Sequence, residues 1–384
     1  MKLLFVHDHV FFTYKGSVYS SGGLPSKVWQ RYLSVFSSII VIGRCGGELS
    51  SKSQANSLVK SDCHGVEFKL LDNFSSILNA KKTLLNWTQT ISNILPYIDH
   101  VILRVPSYIG LLTFIISKRK QLKIITEVVD CPFDSNWNHG TIKRKLFSPL
   151  AFLLMRYLVS HSDYSIYVTK FFLQRRYPCS GQIIHCSNVD IDDTVDLPVF
   201  NTTNGCIVIG MIGTLKGNLK GVQTAIRALP SVVENYSNVQ LRVLGNGDPT
   251  RFIKLAKSLG VESYVSFDGS LPSGPSVMSW IDSLDIYLHP SFKEGLPRSL
   301  IEAMSRGKPC IASNIAGIPE LIPDKWLIKP GDELQLSNLI IKIIKSKKLK
   351  FELGNENIET ARGYLSKILN DRRNKFLDSI IKNS

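Results

Sequence analysis

The sequence lacks what several large protein classes require. Seven Cys are scattered over 384 residues, at positions 45, 63, 131, 179, 186, 206 and 310, with no C-x-x-C pair. That spacing gives no zinc knuckle, and the odd number gives no disulfide framework. No apolar run approaches the ~18 residues a membrane-spanning helix needs. There is no G-x-x-x-x-G-K-[ST] phosphate loop and no G-x-S-x-G nucleophile elbow. Low-complexity tracts and a repeat period are missing too.

Acidic residues are in the minority, 31 Asp and Glu against 46 Lys and Arg, for a formal net charge of +15. The excess is spread over both halves, with 22 basic and 14 acidic residues in 1–200 and 24 and 17 in the remainder. Nucleic acid is not the expected partner, because no helix-turn-helix, finger or aromatic platform accompanies the charge. Local basic clusters stand out at SKRKQLK (117–123), IKRKLF (142–147), FLQRRY (172–177) and SKKLK (346–350), and some border apolar segments, as in KRKLFSPLAFLLMRYLV. Two readings fit these segments. They are crossover helices buried against a sheet with basic ends in solvent, or they offer apolar surface with a basic rim to an anionic membrane face. The start, MKLLFVHDHVFF, reads as a first β-strand, because His7 and Asp8 interrupt the apolar run and no cleavage site follows. The expected location is therefore cytoplasmic, with peripheral contact at the inner membrane's cytoplasmic face as the extension of the second reading.

What is present is ordinary globular composition, 44% hydrophobic and 20% charged, in a length that suits about two domains. Val- and Ile-rich runs without polar interruption mark strands covered on both faces. They occur at KLLFVH (2–7), SSIIVIGR (37–44), HVILRVPS (100–107), LKIITEVVD (122–130), DYSIYVT (163–169) and QIIHCSN (182–188). The stretch IDDTVDLPVFNTTN (191–204) has linker character, and a second strand–helix series opens at GCIVIGMIG (205–213). The expectation is an α/β protein of two Rossmann-like domains, 1–195 and 205–365, with a final helical segment, 366–384, returning to the first. Their strand ends would face one another across a cleft holding the ligand.

Chemistry is concentrated in FKEGLPRSLIEAMSRGKP (292–309). Pro297 suits a first helical position, Leu300, Ile301, Ala303 and Met304 form an apolar stripe, and Gly307 with Pro309 is a stop. Strand, loop and helix start is a geometry that holds anions. Glu294 lies before the helix and Glu302 inside it, where carboxylates could meet hydroxyls; the plain alternative is two solvated acids. The loop GTLKGNLKG (213–221) can approach a phosphate through its glycines, with Lys220 as the neutralising cation and Lys216 as a weaker candidate. GNGDP (245–249) is a turn needing positive φ. In the first domain, Gly22 and Gly23 of SSGGLPSK (20–27) could bring amides to a phosphate or an acceptor. Glu127 and Asp130 end the strand KIITEVVD at the same edge. His7, Asp8 and His9 supply no third metal ligand at local spacing, and His139 and His289 carry no assigned chemistry. The acidic DIDD (190–193) lies in the linker, which counts against a metal-dependent, single-domain sugar transferase.

The pattern resembles glycosyltransferase family 4. Glu294 and Glu302 in EGLPRSLIE match its E-x7-E signature, and AMSRGKPCIASNIAGIPELI follows as in the family. IGTLKGNLKG, LGNGDP, VSFDGSLP and LDIYLHPS precede it in the expected order, so the likeness covers nearly all of 205–330. Over the first domain it rests on GGLPSK and strand order. The resemblance implies the GT-B fold and a retaining, metal-independent transferase without a cofactor, moving a hexose from a nucleotide diphosphate sugar. UDP-linked donors come first and GDP-mannose second, and the acceptor would be a lipid-linked or polysaccharide hydroxyl in bacterial O-antigen or capsular synthesis. An epimerase working by elimination and a non-catalytic sugar-nucleotide-binding protein are the rival readings.

Carried over, Glu294 binds the donor sugar, amides around Gly295 and Leu296 hold sugar and phosphate oxygens, and Glu302 accepts from the ribose. Lys220 neutralises the diphosphate, in a donor site that also takes in Gly213, Thr214, Gly245 and Arg298. The family's arginine after the first glycine is replaced by Thr214, for which Arg298 or Lys216 would substitute. SNVD, with Asn188, stands where the family has N-G-V-D. The first-domain catalytic group stays open between Glu127 and Asp130.

Overall fold

In the computed structural model, which describes residues 1–73, 80–138, 141–200 and 205–382, the chain forms two compact units. His139, the linker end 201–204 and the last two residues of the expected terminal helix lie outside the described residues. The first unit comprises Met1–Phe133, Phe147–Cys186 and Asn370–Ser384, and the second Asp134–Leu146 and Ser187–Leu369.

The strands of the first unit are β1 (Lys2–Tyr14), β2 (Ser17–Ser20), β3 (Ser38–Glu48), β4 (Val59–Lys60), β5 (Val66–Leu71), β6 (His100–Val105), β7 (Lys123–Val128), β8 (Tyr164–Tyr167) and β9 (Gln182–His185). Parallel pairing gives the order β5-β3-β1-β6-β7-β8-β9. Leu3, Leu4, Phe5 and Val6 of the central strand have no exposed surface, as expected for a strand with both faces covered.

Sequence reading ended the first strand near His7, but it continues and folds back as an antiparallel hairpin with β2, which pairs in turn with β4. The turn is Lys15–Gly16, both at positive φ (49° and 78°), the requirement of a two-residue hairpin whose twist matches its strands. SSGGLPSK therefore follows β2 rather than the first strand, a correction to its expected placement.

The second unit holds β10 (Ile207–Ile212), β11 (Val239–Leu244), β12 (Val265–Phe267), β13 (Ile286–His289), β14 (Cys310–Ser313) and β15 (Leu327–Ile328). All pair in parallel in the order β12-β11-β10-β13-β14-β15. Within that unit the helix Val222–Asn235 buries Val222, Ala225, Ile226, Leu229 and Val232, the 3.6-residue period of an amphipathic crossover helix. The final helix, Ser366–Lys382, brings Phe376 to 6.1 Å from Tyr164 and lets Arg372 donate to the His185 carbonyl at 3.1 Å. Among the described residues, no helix is long and apolar enough to cross a membrane.

Candidate active site

Neighbouring parallel strands release the chain at one edge of their sheet, and in the second unit the loops after β10, β11, β12 and β13 interlock there. The amide of Gly213 donates to the Leu244 carbonyl at 2.9 Å, that of Leu215 to Asn246 at 2.8 Å, and that of Gly245 to Gly269 at 2.6 Å. The loop after β13 joins them through the Phe292 amide, 2.8 Å from the Leu219 carbonyl. Two glycines make this possible. A Cβ on Gly213 would stand 2.7 Å from the Lys220 Cβ, so only glycine lets the lysine stem cross the loop. Gly221 caps the helix Val222–Asn235 at φ 72°, where a side chain would also strike the Pro290 carbonyl.

That packing delivers Lys220 Nζ to 2.6 Å from Glu294 Oε1. His289, the last residue of β13, places Nε2 2.8 Å from the same oxygen, with the Ser291 hydroxyl 3.3 Å from that nitrogen. Glu294 and His289 are buried. Burial alone would raise the Glu294 carboxyl, but the Lys220 ammonium and then His289 more than offset it and hold the group well below the usual carboxylate range. Sequence reading paired Lys220 and Glu294 across one site. It assigned nothing to His289, whose signal was its place at a strand end five residues before Glu294.

The helix behind them spans Arg298–Ser305. Pro297 is its cap (φ −74°, ψ 114°), not its first helical residue, a shift of one position from the sequence reading. The amides of Gly295, Leu296, Arg298, Ser299 and Leu300 have no acceptor among the described residues, while the Gly295 carbonyl is fixed by the Gly317 amide at 3.0 Å. These are the donors a helix start leaves available. Glu302 is half-buried in the second turn, and its carboxylate has no hydrogen-bond partner among the described residues. Burial raises it, the exposed Arg298 guanidinium pulls the other way, and Asp190 raises it further.

Thr214 donates its hydroxyl to the Asn246 carbonyl at 3.2 Å and accepts from the Lys216 amide, so it braces the loop and brings no charge. Lys216 is exposed. Sequence reading also missed Arg251, whose Nη2 donates to the Leu215 carbonyl at 3.0 Å and to that of Gly217. It stiffens the loop from behind. In GNGDP, Asp248 accepts from the Thr250 amide at 2.9 Å and starts the next helix.

The first unit treats its candidates differently. Glu127 has no exposed surface, and its two oxygens take Arg104 Nη1 at 2.9 Å and the Tyr32 hydroxyl at 3.3 Å. Against burial, Arg104, Arg373 and Arg31 hold its carboxyl below the usual range. Enclosed by guanidinium groups, Glu127 ties β7 to β6, and of the two first-lobe candidates it is Asp130 that keeps exposed surface. Asp130, just beyond β7, is half-buried and accepts from the Cys131 amide at 2.8 Å. Gly23 lies on the His9 ring, which a Cβ would meet at 2.9 Å, and Gly22 has φ 99° in open space. In HDH, Asp8 accepts the Tyr108 and Ile109 amides at 2.7 and 3.1 Å, capping the helix Tyr108–Arg119, and pairs with Arg44 at 3.3 Å. Burial, then Arg104, lowers His7 and His9 to about 4, so both rings are neutral. Among the described residues, no group of three or more His, Cys, Asp or Glu is placed to hold a metal ion.

Comparison with known proteins adds four findings. The family described as Glycosyl transferases group 1 matches residues 206–346. Protein CapJ of Staphylococcus aureus is 32% identical over 384 residues, spanning 98% of this chain and 95% of CapJ. The lipopolysaccharide glucosyltransferase WaaG of Escherichia coli K12 is 30% identical over 150 residues, 38% of each chain. Among solved structures, Anabaena HepE in complex with UDP-glucose superposes with a TM-score of 0.68 at 16% identity over the whole of both chains. That likeness is one of fold, and the two Rossmann-like lobes are those of the GT-B fold.

Proposed function

The chain belongs to the glycosyl transferases group 1 and is a GT-B glycosyltransferase, and we propose that it moves a hexose from a UDP-linked donor to a hydroxyl of a lipid-linked or glycan acceptor in bacterial surface glycan synthesis, with retention as in family 4. One observation carries the donor half of this reading. Lys220, His289 and Glu294 meet at the open amino end of the helix Arg298–Ser305, with Glu302, whose carboxylate has no hydrogen-bond partner among the described residues, one turn on. The UDP-glucose bound by HepE and the lipopolysaccharide named for WaaG favour the donor and acceptor classes.

The chemistry follows from charge. As the glycosidic bond breaks, negative charge grows on the diphosphate. Lys220 donates one of its three N–H bonds to Glu294 and has others to turn toward the leaving group, where the amides of Gly295, Leu296 and the first helical turn add their dipoles. Glu294 Oε2 receives donor sugar hydroxyls while His289 and Lys220 fix Oε1. Glu302, lacking a partner of its own, accepts from the ribose. Arg298, exposed at the first helical position, supplies the charge that Thr214 does not. Of the second unit's described carboxylates we assign only Glu294 to the sugar, and covalent catalysis needs a nucleophile under the ring. The acceptor therefore attacks on the face the diphosphate leaves, and the departing phosphate oxygen takes its proton. Residues 205–365 are assigned the donor and 1–195 the acceptor, with Asp130 and the Gly22–Gly23 loop as its first-lobe contacts.

A panel of UDP- and GDP-linked hexoses, measured for binding and for acceptor-free hydrolysis, tests the proposal. UDP-sugars should bind and turn over slowly, and Lys220→Ala should weaken both. Preference for GDP-mannose would overturn the donor assignment, and epimerised product would overturn the reaction. Lys220→Ala behaving as the wild type would remove the clamp.

A further inference from the structure

Tyr287, the second residue of β13, has no exposed surface. Its ring stacks on that of His289, two residues along the same face of the strand, at 6.2 Å and 21°. Its hydroxyl is buried and has no hydrogen-bond partner among the described residues. Burial pushes the phenol's pKa well above its usual range, so at neutral pH it carries its proton and offers a donor. Ser299, Glu302 and the Ile212 peptide act on that hydroxyl without meeting it in hydrogen-bonding geometry. Ser299 and Glu302 are three residues apart, on one face of the helix Arg298–Ser305, so the phenol lies beneath the turn that carries Glu302.

A hydroxyl so placed costs the folded protein stability, because a buried donor gives up its bond to water and gains nothing in return. Phenylalanine would fill the same volume and stack on His289 equally well, so packing does not call for the oxygen. Beside it stands the opposite deficit. Glu302 is half-buried, and its carboxylate, an acceptor at both oxygens, has no hydrogen-bond partner among the described residues. An unmade donor and an unmade acceptor thus share one helix face, at the helix end assigned to the nucleotide sugar. Glu294 shows what such a pair does once joined: Lys220 and His289 hold one of its oxygens and leave the other for a ligand.

We propose that Tyr287 is a positioning residue for Glu302: in the donor-bound protein its hydroxyl donates to one carboxylate oxygen and so turns the other toward the ribose hydroxyls. The Glu302 side chain is free to make this move, since it has no hydrogen bond to leave. A carboxylate held at one oxygen discriminates more sharply than a loose one, because a nucleotide without ribose hydroxyls leaves it desolvated and unpaired. Tyr287 therefore sets selectivity for ribose without touching the nucleotide. The inference rests on the assignment of Glu302 to the ribose and adds the residue that makes that contact selective.

The test is calorimetric titration of the full-length protein with UDP and with 2′,3′-dideoxy-UDP, in wild type, Tyr287→Phe, Glu302→Gln and the double variant. Wild type should prefer UDP about tenfold or more. Tyr287→Phe should cut that preference to about threefold or less, by weakening UDP while leaving the dideoxy affinity unchanged. In the Glu302→Gln background the same change should alter neither affinity, because Tyr287 acts through the carboxylate. Without nucleotide, Tyr287→Phe should unfold at no lower denaturant concentration than wild type. A hydroxyl held by a structural water would behave otherwise: its loss would lower the unfolding midpoint and weaken both nucleotides alike, and that result would overturn the proposal. So would a Tyr287→Phe protein that keeps the full preference while Glu302→Gln loses it, an outcome that leaves the ribose assignment standing. A wild type that binds the two nucleotides equally would overturn that assignment and this inference together.

Discussion

Glu127 in the first lobe and Glu294 in the second are buried carboxylates near the carboxyl ends of parallel strands, in sheets of the same relative strand order. Their surroundings differ. Glu127 spends both oxygens on Arg104 and Tyr32, with further arginines closing around it. Glu294 spends one oxygen on Lys220 and His289 and keeps the other. The contrast repeats at helix starts. Asp8 consumes the first amides of Tyr108–Arg119, whereas the first amides of Arg298–Ser305 have no acceptor among the described residues. One arrangement at the sheet edge therefore serves stability in the first lobe and is left available in the second, and the availability is what marks a site.

The largest effect that could break this comparison is at Glu294. Glu294→Gln keeps the volume but loses the charge between Lys220 and the sugar, and transfer should fall about a thousandfold in kcat, some 4 kcal/mol of transition-state stabilisation. Circular dichroism should show the fold retained. A fall of less than tenfold would leave Glu294 a structural partner of Lys220, no different in kind from Glu127.

Next comes the converse at Glu127. Glu127→Gln leaves Arg104 and its neighbours buried without their anion, so the protein should lose roughly 3 kcal/mol of stability in denaturant unfolding. At temperatures where it is folded, UDP affinity should match wild type. Unchanged stability with lost activity would reverse the roles assigned to the two lobes.

How much of this was legible beforehand depends on the range of the interaction. Most of the buried parallel strands and the helix after Pro297 follow from local periodicity and Gly/Pro punctuation, whereas β5, with its alternating exposure, was not read and the pairing order of the strands is no local property. Glu294, Glu302 and Lys220 were singled out because their spacing is itself a pattern. The surroundings of Glu127 were out of reach because they are set by Arg104 on the adjacent strand and by Arg373, far along the chain. The hairpin through Lys15–Gly16 was missed because an apolar run followed by HDH suggests an end, and the pairing partner is needed to show continuation. His289 carried a positional hint, Arg251 none at all. The apolar face of Ile142–Ser160 was ambiguous for a physical reason: composition cannot say which side of a helix a sheet covers.

The two lobes should also respond oppositely to acid. His7 is held neutral, with its pKa lowered to about 4 from 6.5, so the unfolded chain binds the extra proton first. Its contribution is intact above pH 6.5 and is lost as pH falls from there toward about 4, up to about 2 kcal/mol by pH 5. His7→Gln should flatten the decline in unfolding free energy between pH 7 and 5. A slope identical to wild type would show that the ring is solvated and that the first-lobe edge is less closed than its contacts indicate.

The smallest effect sharpens the comparison most, because it gives function and stability opposite signs. The Glu302 carboxyl is raised by burial and by Asp190. A group whose folded pKa is raised opposes folding while ionised, so Glu302→Gln should unfold no more easily than wild type and somewhat less easily at neutral pH. If the carboxylate accepts from the ribose, the same change should weaken UDP-sugar binding about tenfold, near 1.4 kcal/mol. Glu302 takes up its proton at a higher pH than an ordinary glutamate, so affinity should fall further between pH 7 and 5 in wild type than in the variant. Calorimetric titration at the two pH values decides it. Equal pH dependence in both proteins would leave Glu302 a half-buried acid with no ligand, and the second lobe's edge would then hold one open carboxylate rather than two.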